Sequence, residues 1–298
     1  MWLTLGEIIP VATSGGVTLF CPEDGRYSFF NSPYPAHRLI TGVDIYPNTA
    51  HDISAPSPVD GEILQIRHVK APQGHNFEAP ERDTVTIISS RQVPGRIVKI
   101  LHVNTQAEVG EIMRAGQTLG TMIRSGYFGY QTPLHAHVEV RPPEDPLRVR
   151  GGYQMNSILD LDKLEVTQEL KCVVISSRRG YAQLRLCQSN PWVVVDIDGI
   201  PGIIDGGIPL YGWFGAHVKS PGEEASINLL GKQIGIVTKI GLQSCVADCT
   251  EFNARLALTS VDLFFSLTPK QQTIIVATSK IRCELDVQEG EEVSVTVS

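Results

Sequence analysis

Thr132-Pro133-Leu134-His135-Ala136-His137-Val138-Glu139-Val140-Arg141 is the stretch from which the chain is best read. Apolar and polar side chains alternate from His135 to Arg141, and Pro142-Pro143 stops the run, as expected of a β-strand. On a strand, residues two apart share a face, so His135 and His137 project side by side from one sheet surface. That pairing suits one imidazole binding a metal while the other handles a proton. The same alternation also describes the polar face of any antiparallel strand.

Two further stretches carry candidate chemistry. In Leu39-Ile40-Thr41-Gly42-Val43-Asp44-Ile45 one carboxylate interrupts an apolar strand. Such an aspartate needs a partner: either it caps the turn before Pro47-Asn48, or it ligates a metal. In Val98-Lys99-Ile100-Leu101-His102 a histidine ends an apolar strand, as a core residue or as part of a site.

Strand signals recur along the chain. Val59–Ile66, Asp83–Ile88 and Gly95–His102 are rich in β-branched residues, with Gly-containing turns at Gly110, Gly116, Gly120, Gly126 and Gly129 between the later strands. Arg67 to Arg82 reads as a polar loop, and Tyr153 to Leu164 as a short helix. A second strand-rich unit follows: Cys172–Ile175, Trp192–Ile197, Ile234–Val237, Thr273–Ala277 and Val293–Val297. With 27 glycines and 19 prolines in 298 residues, short strands and turns are expected over long helices. The fold class is therefore all-β, with one domain at 1–160 and a second, sandwich or barrel-like, at 161–298.

Composition narrows the function classes. A net charge of −7 without a basic run argues against nucleic-acid binding. No stretch approaches 18 apolar residues, so no membrane-spanning helix is expected. Met1–Glu7 lacks the basic start and apolar run of a secretory signal, which favours the cytoplasm. Six cysteines without a CxxC pair make neither a disulfide framework nor a zinc finger; Cys245 and Cys249 read as incidental thiols.

Taken together and in order, these motifs resemble the lysostaphin-type (LytM) zinc endopeptidases. The resemblance rests on Gly42-Val43-Asp44, Ala55-Pro56-Ser57-Pro58-Val59-Asp60-Gly61, Leu101-His102, Val109-Gly110 through Gly116-Gln117-Thr118-Leu119-Gly120, and the strand from Thr132 to Arg141. It covers roughly residues 30–150. It implies the duplicated hybrid motif fold, a bound Zn2+, hydrolysis of peptide or peptidoglycan-like amide bonds, Asp44 and His137 as metal ligands, His135 as the histidine beside the metal-bound water, and His102 as a second non-ligand histidine that helps polarise that water or stabilises the oxyanion. Biotinyl-lipoyl carriers share the turn grammar but need a modifiable lysine, and none lies between Gly120 and Lys163.

One position departs from the family pattern. The first ligand of an HxxxD motif would fall at Ile40, which cannot ligate. His37, seven residues before Asp44, is the nearest histidine; on a regular strand that odd spacing would put the two on opposite faces. Pro33 and Pro35 show that this stretch is not a regular strand, so a bulge or loop can bring His37 in. His51 is the next candidate. His68, His75 and His217 are expected to be solvated or packed. Asp196, Asp198 and Asp205 do not fit a calcium-loop spacing, and Tyr211–Phe214 reads as aromatic core. The leading function is a zinc metalloendopeptidase. The alternatives are a catalytically inactive binding or regulatory module on the same fold, and a phosphocarrier using His102 or His135.

Overall fold

The computed structural model describes residues 6–47, 53–74, 77–281 and 283–298. The chain is almost entirely β, and it divides into two compact units: residues up to Phe29 with Tyr34–Ile158, and Phe30–Pro33 with Leu159–Ser298.

The first unit contains, in chain order, β1 (Ile8–Ser14), β2 (Val17–Pro22), β3 (Arg26–Ser28), the single-turn helix α1 (Pro35–Arg38), β4 (Val43–Tyr46), β5 (Ser54–Pro56), β6 (Gly61–Lys70), β7 (Arg82–Ser90), β8 (Ile97–Leu101), β9 (Val103–Thr105), β10 (Ile112–Met113), β11 (Thr118–Met122), β12 (Ala136–Arg141) and β13 (Met155–Ser157). A seven-stranded antiparallel sheet runs β10-β6-β7-β8-β12-β4-β3, and two three-stranded sheets, β13-β1-β2 and β5-β11-β9, complete the unit. Strand β12 is buried along its whole length. Its Ala136, Val138 and Val140 join Val43, Ile45, Val98 and Ile100 among the buried apolar residues. Each of the valine and isoleucine side chains contributes about 1.5–3 kcal/mol on burial. The alternate residues His137, Glu139 and Arg141 are buried too, and so must find polar partners.

The second unit is built from strands between Leu170 and Val297 that form one twelve-stranded sheet. Pairing of Val194–Ile197 with Ile200–Ile208 closes six of these strands into a ring, and pairing of Thr259–Ser266 with Ile274–Ser279 closes the other six. The sandwich or barrel expectation thus resolves to barrel closure, which leaves few open edges. Trp213 and Phe214 are buried core residues, as the sequence suggested. His217 is fully buried, with Nε2 3.2 Å from Asp205 Oδ2 and its ring 5.6 Å from that of Phe30. Asp196 accepts the Gly199 N–H in a tight turn rather than joining a calcium site.

Two local readings need correction. Tyr153–Leu164 forms no helix: Met155–Ser157 is β13, paired with Ser14–Ala12 of β1, because Met155 and Ser157 turn inward there. Arg67–Arg82 is not one polar loop. Strand β6 continues to Lys70 and β7 begins at Arg82, with Arg67 opposite Val85 and Val69 opposite Asp83. Backbone pairing extends this ribbon beyond the packed core, so its polar side chains report exposure, not irregularity. His68 is exposed there, with Nδ1 3.2 Å from Thr84 Oγ1. His51 and His75 lie outside the described residues.

Candidate metal centre

Sheet register places two of the site residues. Asp44 of β4 stands directly opposite His137 of β12, and His137 stands opposite Leu101 of β8 on its other side. Cross-strand partners lie about 5 Å apart at Cβ, so the Asp44 and His137 side chains meet without further adjustment. His137 Nδ1 is 2.8 Å from Asp44 Oδ1.

Helix α1 delivers the third. Pro35 opens the turn with its preset φ, Leu39 N–H donates to Pro35 O at 2.8 Å, and Thr41 N–H to Ala36 O at 2.8 Å. Ile40 then takes a left-handed conformation (φ 61°) and its side chain is fully buried. Seven extended residues would span roughly 23 Å. The helical turn and reversal bring His37 Nε2 to 3.2 Å from Asp44 Oδ1 and 3.1 Å from His137 Nδ1. The opposite-face objection therefore does not apply, because period-2 geometry ends before Val43. Ile40, at the family's ligand position, serves the core instead.

The donor set fits a tetrahedral metal. Ligand atoms bound at about 2.0–2.2 Å around zinc lie roughly 3.3 Å apart. The three atoms here are separated by 2.8, 3.1 and 3.2 Å. Both histidines have outer partners that fix them. His37 Nδ1 donates to Phe29 O at 2.7 Å, which leaves the Nε2 lone pair for a metal. His137 Nε2 faces Glu139 Oε1 at 3.4 Å. Glu139 in turn accepts from Lys99 Nζ at 2.7 Å and from Arg141 Nη1 at 2.6 Å.

Electrostatics follow from the same contacts. Burial alone would raise the Asp44 carboxyl, but the surrounding His37, His135 and His137 imidazoles hold it well below the usual carboxylate range. Burial pushes His135 down to about 4 despite the nearby Asp44, so this imidazole is neutral at pH 7. Its Nδ1 donates to Pro133 O at 3.0 Å and its Nε2 lies 3.6 Å from Asp44 Oδ2. The ring stacks on Phe128 at 4.1 Å between centroids. Arg124 anchors the preceding loop by donating to the carbonyls of Gly129, Tyr130 and Thr132. His102 sits at the break between β8 and β9, its ring centroid 5.4 Å from that of His135 and 6.4 Å from that of His137.

All five residues singled out in the sequence thus converge: His37, Asp44 and His137 as a possible ligand set, with His135 and His102 beside it. Among the described residues no Cys245–Cys249 metal group forms, and Cys245 is buried. Sequence reasoning missed Asp83 and Ser125, which hold His102, and Glu139 and Lys99 behind His137. The period-2 argument that paired His135 with His137 places Glu139 and Arg141 on that same face, so this signal was present. Asp83 had none beyond its place at the head of a strand.

Gly42 is needed beside the His37, Asp44 and His137 cluster. A Cβ added there would lie 2.7 Å from His137 Cε1 and 3.2 Å from Ala36 Cβ, closer to the ring than real contacts allow. Gly42→Ala is expected to push the His137 ring aside and weaken metal binding by about 10–100-fold, the range seen when a ligand's support is lost. Competition with a chromophoric chelator measures this. Unchanged affinity would show that the ring has room to move.

A family described as "Domain of unknown function (DUF8155) N-terminal domain" matches residues 18–157. No curated protein matches the chain. Among solved structures, the antimicrobial peptidase lysostaphin from Staphylococcus simulans is similar at 12% identity, with 91% of this chain and 95% of that chain covered and a TM-score of 0.26. No helix among the described residues is long and apolar enough to cross a membrane.

Proposed function

We propose that this chain is a zinc-dependent endopeptidase that hydrolyses peptide amide bonds, peptidoglycan peptides being one candidate substrate. His37, Asp44 and His137 are its metal ligands, and residues 1–160 form its catalytic domain, with 161–298 accessory to it. The observation that carries this reading is the convergence of two imidazole nitrogens and one carboxylate oxygen within 3.2 Å of one another, each histidine held by a partner on its other nitrogen. Three protein ligands with a further position open is the donor count of catalytic zinc; structural sites carry four. When bound, zinc would supply a Lewis acid for the scissile carbonyl and lower the pKa of water.

The chain's own residues do the rest. His135, neutral and with its proton on Nδ1, offers Nε2 as a hydrogen-bond acceptor beside the ligand set. His102, held through Nδ1 by Asp83, offers a second Nε2. Two fixed imidazoles suit withdrawal of a proton from water and its return to a leaving amine. Phe128 stacks on His135 and lies edge-on 4.9 Å from the ring of His102, so one aromatic ring packs against both imidazoles.

The test is metal content followed by hydrolysis. The purified chain is expected to carry near-stoichiometric zinc by mass spectrometry. It is also expected to cleave members of a quenched-fluorescence peptide library or purified peptidoglycan, to stop on treatment with 1,10-phenanthroline, and to recover on zinc addition. Stoichiometric zinc without hydrolysis of either substrate would favour a binding module. Failure to take up zinc after reconstitution would overturn the metal centre itself.

A further inference from the structure

Asp83 ligates nothing in the metal centre, yet its carboxylate is fully buried and accepts four hydrogen bonds. Oδ1 accepts the backbone N–H of Thr84 at 2.7 Å and of His102 at 3.1 Å. Oδ2 accepts His102 Nδ1–H at 2.5 Å and the Ser125 hydroxyl at 2.6 Å. One carboxylate thus holds both the main chain and the ring of His102, whose backbone is left-handed at φ 70°. An ordinary β-strand continuation would carry this side chain elsewhere. Register explains the meeting: Val85 of β7 pairs with Leu101 at the end of β8, and the chain turns at the next residue, over Asp83. Burial would raise the Asp83 carboxyl, but the bonds from His102, Ser125 and Thr84 hold it below the usual range, so it stays ionised. Among the described ion pairs its partner is His102.

A carboxylate on Nδ1 settles which nitrogen of an imidazole carries the proton. We propose that Asp83, secured by Ser125, is the positioning residue for His102: it fixes the His102 proton on Nδ1 and leaves Nε2 as the base of the hydrolytic site. This rests on the hydrolase reading above. In the step it supports, a water O–H bond breaks and its proton passes to His102 Nε2 as the oxygen forms a bond to the scissile carbonyl carbon. The C–N bond then breaks, and the same proton passes from Nε2 to the amine nitrogen. Between the two transfers His102 is an imidazolium, and the Asp83 carboxylate lies against it. Replacing the orienting carboxylate of a Ser-His-Asp triad by an amide costs about 10⁴ in kcat through the wrong tautomer.

The test uses the full chain, zinc-reconstituted, as wild type, Asp83→Asn, Asp83→Glu and Ser125→Ala, with His102→Gln to assign the signal. Long-range 1H–15N spectra of 15N-histidine-labelled protein report the tautomer of His102 whether or not a substrate is known. Wild type is expected to show a protonated Nδ1 and an unprotonated Nε2. Asp83→Asn is expected to lose that signature and at least 100-fold in kcat on the best library peptide, with KM and zinc content unchanged, and Asp83→Glu to recover part of both. A wild-type signature retained in Asp83→Asn, a kcat within threefold of wild type, or activity lost only in proportion to zinc would each overturn the assignment. A wild type that binds zinc and hydrolyses nothing overturns the hydrolase reading and the catalytic role together, while the spectra still decide what fixes His102.

Discussion

Replacing His37 by alanine is expected to take the protein from near-stoichiometric zinc to almost none, with affinity falling on the order of 10³-fold or more. Loss of an outer partner alone costs 10–100-fold, and in the proposed ligand set His37 supplies one of three donors directly. Two donors would remain, His137 Nδ1 and Asp44 Oδ1, 2.8 Å apart. Without the His37 imidazole, no other ligand group among the described residues joins these two donors. The fold should survive. Helix α1 is closed by main-chain bonds from Leu39 to Pro35 and from Thr41 to Ala36, neither of which involves the imidazole. His51→Ala is the matched control and is expected to leave zinc content unchanged. Metal analysis of dialysed proteins, with circular dichroism for fold, decides. Full zinc retention in His37→Ala would remove it from the ligand set and return attention to His51.

How far the sequence carried the site depends on which part of the backbone holds each residue. His137 was legible from period-2 alternation and Asp44 as the one carboxylate in an apolar strand, while His135 was found by the same alternation although it stands one residue before β12. His102 was legible as the end of a strand, but its left-handed backbone and its bond to Asp83 join residues 19 apart through sheet register, which no local pattern reports. His37 fell between these cases. Pro33 and Pro35 announced an irregular approach, yet not that one helical turn and a buried left-handed Ile40 would bring His37 to 3.2 Å from Asp44. The misread hairpin of β6 and β7 and the misread β13 share one cause. In both, the local side-chain pattern was read without the ladder that neighbouring strands offer: polar residues at Arg67–Arg82 suggested a loop, and Asn156-Ser157 before Ile158 suggested a helix start. The rings of the second unit also need pairings between strands far apart in sequence, such as Leu170–Arg178 with Glu292–Val297 and Tyr181–Leu186 with Ile274–Ser279, so only the strand content was legible there.

Glu139→Ala is expected to destabilise the first unit by about 3–5 kcal/mol, the cost of removing one partner from a buried ion pair. Glu139 stands between Lys99 at 2.7 Å, Arg141 at 2.6 Å and His137 at 3.4 Å. Arg141 is fully buried, and it keeps further bonds to Asp145 O and Arg150 O when Glu139 is removed. Lys99 would retain only the longer contact to Arg148 O at 3.5 Å. Its buried ammonium is the group most harmed. For a unit of this size the loss corresponds to roughly 6–20 °C in Tm. By contrast, Lys171→Ala breaks an exposed, solvent-screened pair with Glu169 and should leave Tm nearly unchanged. The network also sets a pH signature in the metal-free protein. Burial would raise Glu139, but His137 and Lys99 bring it down to about 2, so its contribution is present above its ordinary 4.5 and is lost as pH falls from there toward 2. Burial would lower His137, but bonds to Asp44 and Glu139 lift it to about 9, so its contribution is complete below 6.5 and is lost as pH rises toward 9. Glu139→Ala should therefore flatten both limbs, as read by thermal melts in chelator from pH 3 to 9. A variant as stable as wild type, with both limbs intact, would mean that Lys99 and Arg141 find other partners, and that Glu139 does not hold His137 in place for the metal.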